Sequence, residues 1–144
     1  MRKRFVIHEH HASRLHFDLR LEIAGVLKSW AVPKGVSMNP KDKRLAVAVP
    51  DHSLGYIDFE GTLAEGTYGA GCVAIWDKGQ FETENAEAQL EKGKLVFTFY
   101  GAKLKGEFTL VKFYNHEKNW LIIKSRDAFA DNDWKLETVL EPKK

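Results

Sequence analysis

Arg14, His16, Asp18, Arg20 and Glu22 recur at every second position, interleaved with Leu15, Phe17, Leu19 and Leu21. In an extended strand successive side chains point to opposite faces, so this run sets its ionisable groups on one face and an apolar row on the other. Such a group of charges is costly to bury unless its members pair or hold a metal ion. His10 lies a few residues upstream of His16, and a turn between them would fold it back towards His16 and Asp18. Two imidazoles and a carboxylate, with coordination positions left over, make a site for Mn²⁺, Zn²⁺ or a similar divalent ion. Arg20, on the same face, is a planar bidentate donor that fits phosphate oxygens. A divalent ion beside an arginine is suited to hydrolysing phosphate esters. The ion polarises a phosphoryl oxygen or acidifies bound water, and the guanidinium neutralises charge developing at phosphorus. The competing reading is a solvent-facing strand whose alternating charges meet partners across a sheet.

His52, in Pro50-Asp51-His52-Ser53, follows the apolar run Leu45 to Val49. At a strand end it can reach a shared pocket, contacting phosphate or protonating a leaving oxygen. Lys34, in Trp30-Ala31-Val32-Pro33-Lys34-Gly35, sits in a turn and offers a further cation. These residues by themselves specify a metal-assisted site with phosphate affinity and no more. Gly66-Thr67-Tyr68-Gly69-Ala70-Gly71 precedes a strand and not a helix, so it reads as a tight inter-strand connection, not a phosphate cradle. Nothing fixes the distance between Glu60 and Glu65. His8 and His11 either support the site or are exposed, and Cys72, opening an apolar strand, reads as a buried inert thiol.

The dominant local period is two. Strands are expected over Leu15 to Glu22, Ser29 to Val32, Leu45 to Val49, Tyr56 to Glu60, Cys72 to Trp76, Leu95 to Tyr100, Glu107 to Tyr114 and Trp120 to Ser125. Ala24-Gly25, Pro33-Lys34-Gly35, Lys78-Gly79 and Gly101 to Gly106 punctuate them, and Lys103-Leu104-Lys105-Gly106 fits a hairpin. Only Asn85 to Lys92 has a helical pattern, with Asn85 as its cap. The fold class is mainly β: a small, closed or nearly closed antiparallel β-barrel of about eight strands with one or two short helices. Asp127 to Lys144 is expected as a surface strand or tail.

The 144 residues suffice for one domain with its own core, and 44% apolar residues with four Trp exclude a disordered chain. The apolar runs are too short to span a bilayer, and no signal-peptide stretch is present. A single cysteine suits a reducing compartment, so a cytoplasmic location is expected. The net charge of +2 permits a polyanionic substrate without demanding one.

The sequence resembles the 3′-phosphoesterase domain of bacterial ligase D and its free-standing relatives. The matching stretches are Phe5-Val6-Ile7-His8-Glu9-His10-His11-Ala12-Ser13-Arg14-Leu15-His16-Phe17-Asp18-Leu19-Arg20-Leu21-Glu22 and Leu27-Lys28-Ser29-Trp30-Ala31-Val32-Pro33-Lys34-Gly35. Arg44-Leu45-Ala46-Val47, Asp51-His52, Tyr56, Phe59-Glu60-Gly61, Glu65-Gly66, Tyr68-Gly69-Ala70-Gly71, Trp76-Asp77-Lys78-Gly79 and Leu121-Ile122-Ile123-Lys124 complete the likeness. It implies a single 3′-phosphoesterase domain over 1–144, a small barrel with a crescent groove, and manganese as the usual metal, with Zn²⁺ or Co²⁺ as substitutes. The implied activity removes a 3′-terminal ribonucleoside from a primer strand and then the 3′-phosphate, leaving a 3′-hydroxyl, in DNA end joining. By motif position His10, His16 and Asp18 would hold the metal. Arg20 and His52 would grip the phosphate, with His16 close to it, and Arg14, Lys34 and Tyr56 would bind or orient substrate. The implied partners are nucleic acid 3′ ends and a separate DNA ligase or polymerase, the protein itself being a monomer away from any membrane. At His8 this chain departs from the resemblance, since Gln or Lys is commoner there. Two other readings stay open: a non-catalytic end-binding module that recruits a ligase or polymerase, and a small-molecule phosphatase.

Overall fold

The computed structural model describes residues 2–63 and 71–140. The glycine-rich connection from Gly66, with Glu65 and Tyr68, lies outside the described residues, as do the last residues of the charged tail. Nine strands are described: β1 (Arg2–His11), β2 (Leu15–Ile23), β3 (Val26–Val32), β4 (Arg44–His52), β5 (Gly61–Leu63), β6 (Gly71–Glu82), β7 (Lys94–Gly101), β8 (Lys105–Lys112) and β9 (Asn119–Lys124). A short 3₁₀ helix covers Leu54–Asp58, and one α-helix, α1, covers Ala86–Glu91.

The strands run β1-β2-β3-β4-β9-β8-β7-β6, every neighbour antiparallel, and β6 pairs back to β1. That last pairing closes an eight-stranded barrel and removes the open edges, while β5 adds to the flank of β6. The alternation in β2 now has a cause. Phe17, Leu19 and Leu21 point into the lumen, where they meet Phe5, Ile7, Trp30 and Trp76. His16, Asp18 and Arg20 occupy the opposite, outer face. A second, smaller apolar cluster of Val6, Leu27 and Ile57 lies on that outer side, where Ile57 roots the 3₁₀ helix against β1 and β3.

Some expectations are corrected. The segment before His11 is a full strand, β1, paired to both β2 and β6. Tyr56 to Glu60 is not a strand: Tyr56 N–H donates to Ser53 O and Phe59 N–H to Tyr56 O, each at 3.0 Å, the spacing of a 3₁₀ turn. Such a turn eclipses positions three apart, and the Tyr56 and Phe59 rings stack 4.8 Å apart with an interplanar angle of 9°. Asn85 precedes α1 with φ 50° and makes no side-chain cap. Cys72 is half-buried, its sulfur 3.6 Å from Thr62 Oγ1. The Lys103–Gly106 hairpin forms, with the Asp77 carboxylate accepting the Ala102, Lys103 and Leu104 N–H groups.

Beyond β9 the chain forms no strand among its described residues and crosses one mouth of the barrel as an irregular strap. Trp134 and Leu136 pack on the lumen core, and Trp76 Nε1–H donates to Glu137 O at 2.7 Å. Glu9, wholly buried, accepts the Val139 and Leu140 N–H groups at 2.7 and 2.8 Å. No described helix is long and apolar enough to cross a membrane.

Candidate functional site

The bend at residues 12–14 joins β1 to β2 so that His10 stands opposite His16, and His8 opposite Asp18. Partners directly opposite in an antiparallel ladder share a face. His10 Nδ1 and His16 Nε2 are 3.2 Å apart, His10 Nδ1 and Asp18 Oδ2 3.5 Å, and His16 Nε2 and Asp18 Oδ1 3.2 Å. One ligand atom from each residue lies within 4.8 Å of the others. Two imidazole nitrogens and a carboxylate oxygen gathered this closely suit a divalent transition metal, so the donor set fits the expected group. His16 Nδ1 lies 3.3 Å from the Arg14 carbonyl oxygen. A proton on that nitrogen donates to the carbonyl and leaves the Nε2 lone pair directed at the cluster.

Electrostatics agree with this arrangement. Burial alone would push the Asp18 carboxyl up, but hydrogen bonds from His10 and His16 and the charge of Arg20 hold it far below the usual carboxylate range. Burial disfavours the charged His16, yet its hydrogen bond to Asp18 and that carboxylate's charge raise it above an ordinary histidine.

Arg20 follows two residues along β2, 4% exposed. Its Nη1 donates to Ser29 Oγ at 2.8 Å, and Nη2 lies 3.4 Å from Asp18 Oδ2. Ser29 is opposite Arg20 on β3, and its hydroxyl donates a hydrogen bond to the Leu27 carbonyl oxygen at 3.0 Å. The 3₁₀ helix lays Tyr56 over this guanidinium, with Arg20 Cζ 5.1 Å from the ring centroid. His52, from the end of β4, stacks on the same ring at 4.5 Å. Burial and then the charge of Arg20 lower the His52 imidazole, and burial raises the Tyr56 phenol. At neutral pH both are therefore uncharged hydrogen-bonding groups.

The structure thus brings together His10, His16, Asp18, Arg20, His52 and Tyr56 on the outer face of the barrel. Arg14 is exposed on the β1–β2 bend. Lys34 is exposed on the turn after Val32, which pairs with Phe17, so both cations stand at the His16 end of β2. Glu22 is outside the cluster and pairs with Arg4 Nε at 3.1 Å. Sequence reasoning left His8 open and overlooked Ser29. His8 is fully buried and its Nδ1 accepts Arg20 Nε–H at 3.0 Å. The available signal was parity, since Val6, His8 and His10 share a face. His11 falls on the other face and joins Glu9 at 2.7 Å.

Residues 8–112 match the family described as the DNA ligase D 3′-phosphoesterase domain. The multifunctional non-homologous end joining protein LigD of Pseudomonas aeruginosa is 46% identical over 130 residues, covering 88% of this chain and 16% of that protein. Its namesake in Mycolicibacterium smegmatis is 43% identical over 131 residues, covering 86% of this chain and 17% of the relative. The multifunctional non-homologous end joining DNA repair protein LigD of Mycobacterium tuberculosis is 44% identical over 108 residues, covering 75% and 14%. The chain therefore spans only a small part of the length of each relative. With its barrel, its donor triad and the match over most of its length, the chain belongs to the DNA ligase D 3′-phosphoesterase domain family.

Proposed function

We propose that this chain is a metal-dependent phosphoesterase that heals nucleic acid 3′ ends, with Mn²⁺ as its metal and Zn²⁺ or Co²⁺ as substitutes. The observation that carries this reading is the convergence of His10, His16 and Asp18 ligand atoms within 4.8 Å, two residues along the strand from a buried arginine. His10, His16 and Asp18 would hold the Mn²⁺, which when bound would supply a Lewis acid and an acidified water. In the first hydrolysis, the bond from phosphorus to the 5′-oxygen of the terminal ribonucleoside breaks, leaving a 3′-phosphate on the strand. In the second, the bond from phosphorus to the 3′-oxygen breaks, giving inorganic phosphate and a 3′-hydroxyl. Arg20 binds non-bridging oxygens and stabilises the charge that builds on them. His52 and Tyr56, uncharged at neutral pH, donate hydrogen bonds to the same group, while Arg14 and Lys34 draw in the strand by its charge.

The residues 1–144 act as one domain, on nucleic acid 3′ ends, as a monomer in the cytoplasm, with a ligase or polymerase as a functional partner. The test is end-product analysis on a primer–template bearing one 3′ ribonucleotide, with Mn²⁺, with Mg²⁺ and with chelator. Stepwise formation of a 3′-phosphate and then a 3′-hydroxyl end, dependent on Mn²⁺, supports the proposal. Binding of the duplex without shortening under any metal would leave the recruitment module as the correct reading.

A further inference from the structure

His8 belongs to none of the roles described so far: it lies outside the donor triad, it is 0% exposed, and no substrate can reach it. Its Nδ1 accepts the Arg20 Nε–H at 3.0 Å, so the ring proton resides on Nε2. Its ring meets that of Tyr56 at a steep angle, with ring centroids 5.2 Å apart and an interplanar angle of 75°. Arg20 is thereby held at Nε by His8, at Nη1 by Ser29 and over its face by Tyr56.

We propose that His8 is the positioning residue for Arg20, an uncharged acceptor on Nε that fixes the rotation of the guanidinium plane and so presents its Nη edge towards Asp18 and a phosphate bound beside it. The proposal deepens the phosphoesterase reading and rests on it for its catalytic consequence. A long arginine side chain has several rotatable bonds, and two-point recognition of a phosphate requires its planar fork to be held in one orientation. Ser29 and Asp18 meet the terminal nitrogens Nη1 and Nη2. The acceptor at Nε adds a further point of the planar fork and fixes its orientation. Without it a buried N–H loses its partner, and the guanidinium turns to find another. A carboxylate in the place of His8 would also accept, but it would compete with phosphate for the arginine's charge, which a neutral imidazole does not.

The test uses the full chain loaded with Mn²⁺ and a DNA strand ending in a 3′-phosphate. His8→Phe keeps a ring beside Tyr56 but removes the acceptor, and His8→Asn places an amide oxygen close to where Nδ1 was. Loss of a hydrogen bond to a charged group predicts a fall in kcat/KM of about 10- to 100-fold for His8→Phe. His8→Asn should recover most of it, and Mn²⁺ affinity by electron paramagnetic resonance should be the same in all three proteins. A His8→Phe rate close to wild type, an Asn variant no better than Phe, or a parallel loss of Mn²⁺ affinity would each overturn the proposal. If His8→Phe does not fold, the smaller His8→Leu takes its place. The Arg20 Nε–H resonance by ¹⁵N NMR gives a readout independent of turnover. It should be distinct and slow to exchange in wild type and His8→Asn, and averaged or lost on removal of the acceptor. Wild-type protein that releases no phosphate would sink the phosphoesterase reading, and the resonance alone would then decide the role of His8.

Discussion

Leu27 and His52 stand opposite one another across the β3–β4 ladder, although Ser29 stands opposite Val49. Two steps along β3 therefore match three along β4, and the additional residue falls in the stretch containing Pro50. Proline suits a bulge because it has no N–H to contribute to the ladder. The extra residue reverses the parity of the strand. Ala46 and Ala48 face the lumen, and without the bulge His52 would follow them inward instead of stacking on Tyr56.

Deleting Pro50 removes the extra residue along with the bulge, so two steps on each strand still set His52 opposite Leu27. Inserting one residue after Pro50 reverses the parity and should mimic the loss of His52. Release of phosphate from a strand with a 3′-phosphate is expected to fall on the order of 10- to 100-fold in both the insertion and His52→Ala. An insertion variant that keeps the wild-type rate would show that something other than strand parity aims the imidazole.

Replacing His10, His16 or Asp18 by Ala should cut Mn²⁺ affinity and turnover at least ~100-fold. The barrel should still fold, because these side chains lie on the outer face and contribute nothing to the lumen core. Isothermal titration with Mn²⁺ and a thermal melt of the metal-free variants separate the two effects. Full activity in all three variants would remove the triad from the site.

His8 makes the metal-free protein sensitive to mild acid. Burial, reinforced by the nearby Arg20 charge, lowers its imidazole from the ordinary 6.5 to about 4. Between these values the unfolded chain takes up a proton that the folded one refuses, so stability falls as pH drops from 6.5 towards 4. The loss from this one group is on the order of 3 kcal/mol. Urea titrations at several pH values should show this slope in wild type and a flatter one in His8→Phe.

Gly79, opposite Gly101 and beside Phe5, lies where β6 passes from β1 to β7. A Cβ there would overlap the Tyr100 carbonyl oxygen and approach Gly101 Cα to 3.1 Å. Backbone atoms cannot swing aside as a side chain would. Gly79→Ala is expected to destabilise the protein by about 2–3 kcal/mol, measured by chemical denaturation.

Glu9 ties the strap to the barrel mouth through two successive amides. Glu9→Ala should free the segment, so that trypsin cuts after the exposed Lys135 earlier in the variant than in wild type. Equal digestion rates would show that Trp134 and Leu136 suffice to hold it.

How much of this could be read in advance depended on which faces were dry. β2 was legible because a lumen-facing apolar row alternates with an outer row of charges. β1 was not, because both of its faces are buried. Its inner row ends in Glu9, its outer row begins with Val6, and the alternation dissolves into an apolar triplet followed by a polar one. His8 stayed open for that reason, since its parity with His10 has meaning only once β1 is a strand. The segment from Tyr56 to Glu60 carries strand-like residues, yet Ile57 anchors a turn that eclipses Tyr56 and Phe59. The strap was invisible for another cause. Much of its attachment runs through backbone groups of Glu137, Val139 and Leu140, and residue type says little about those.

The reactive cluster sits outside a closed barrel whose interior is filled with aromatic rings. One sheet's thickness of backbone separates the residues that make the protein rigid from those that would do chemistry. Lumen residues such as Phe97 and Phe108 can be exchanged to retune heat tolerance without touching a functional group. The outer wall can in turn be rewritten for other esters without reopening the core. Folding and chemistry have separate addresses in this sequence, alternating along β2 residue by residue, and each can be engineered without revising the other.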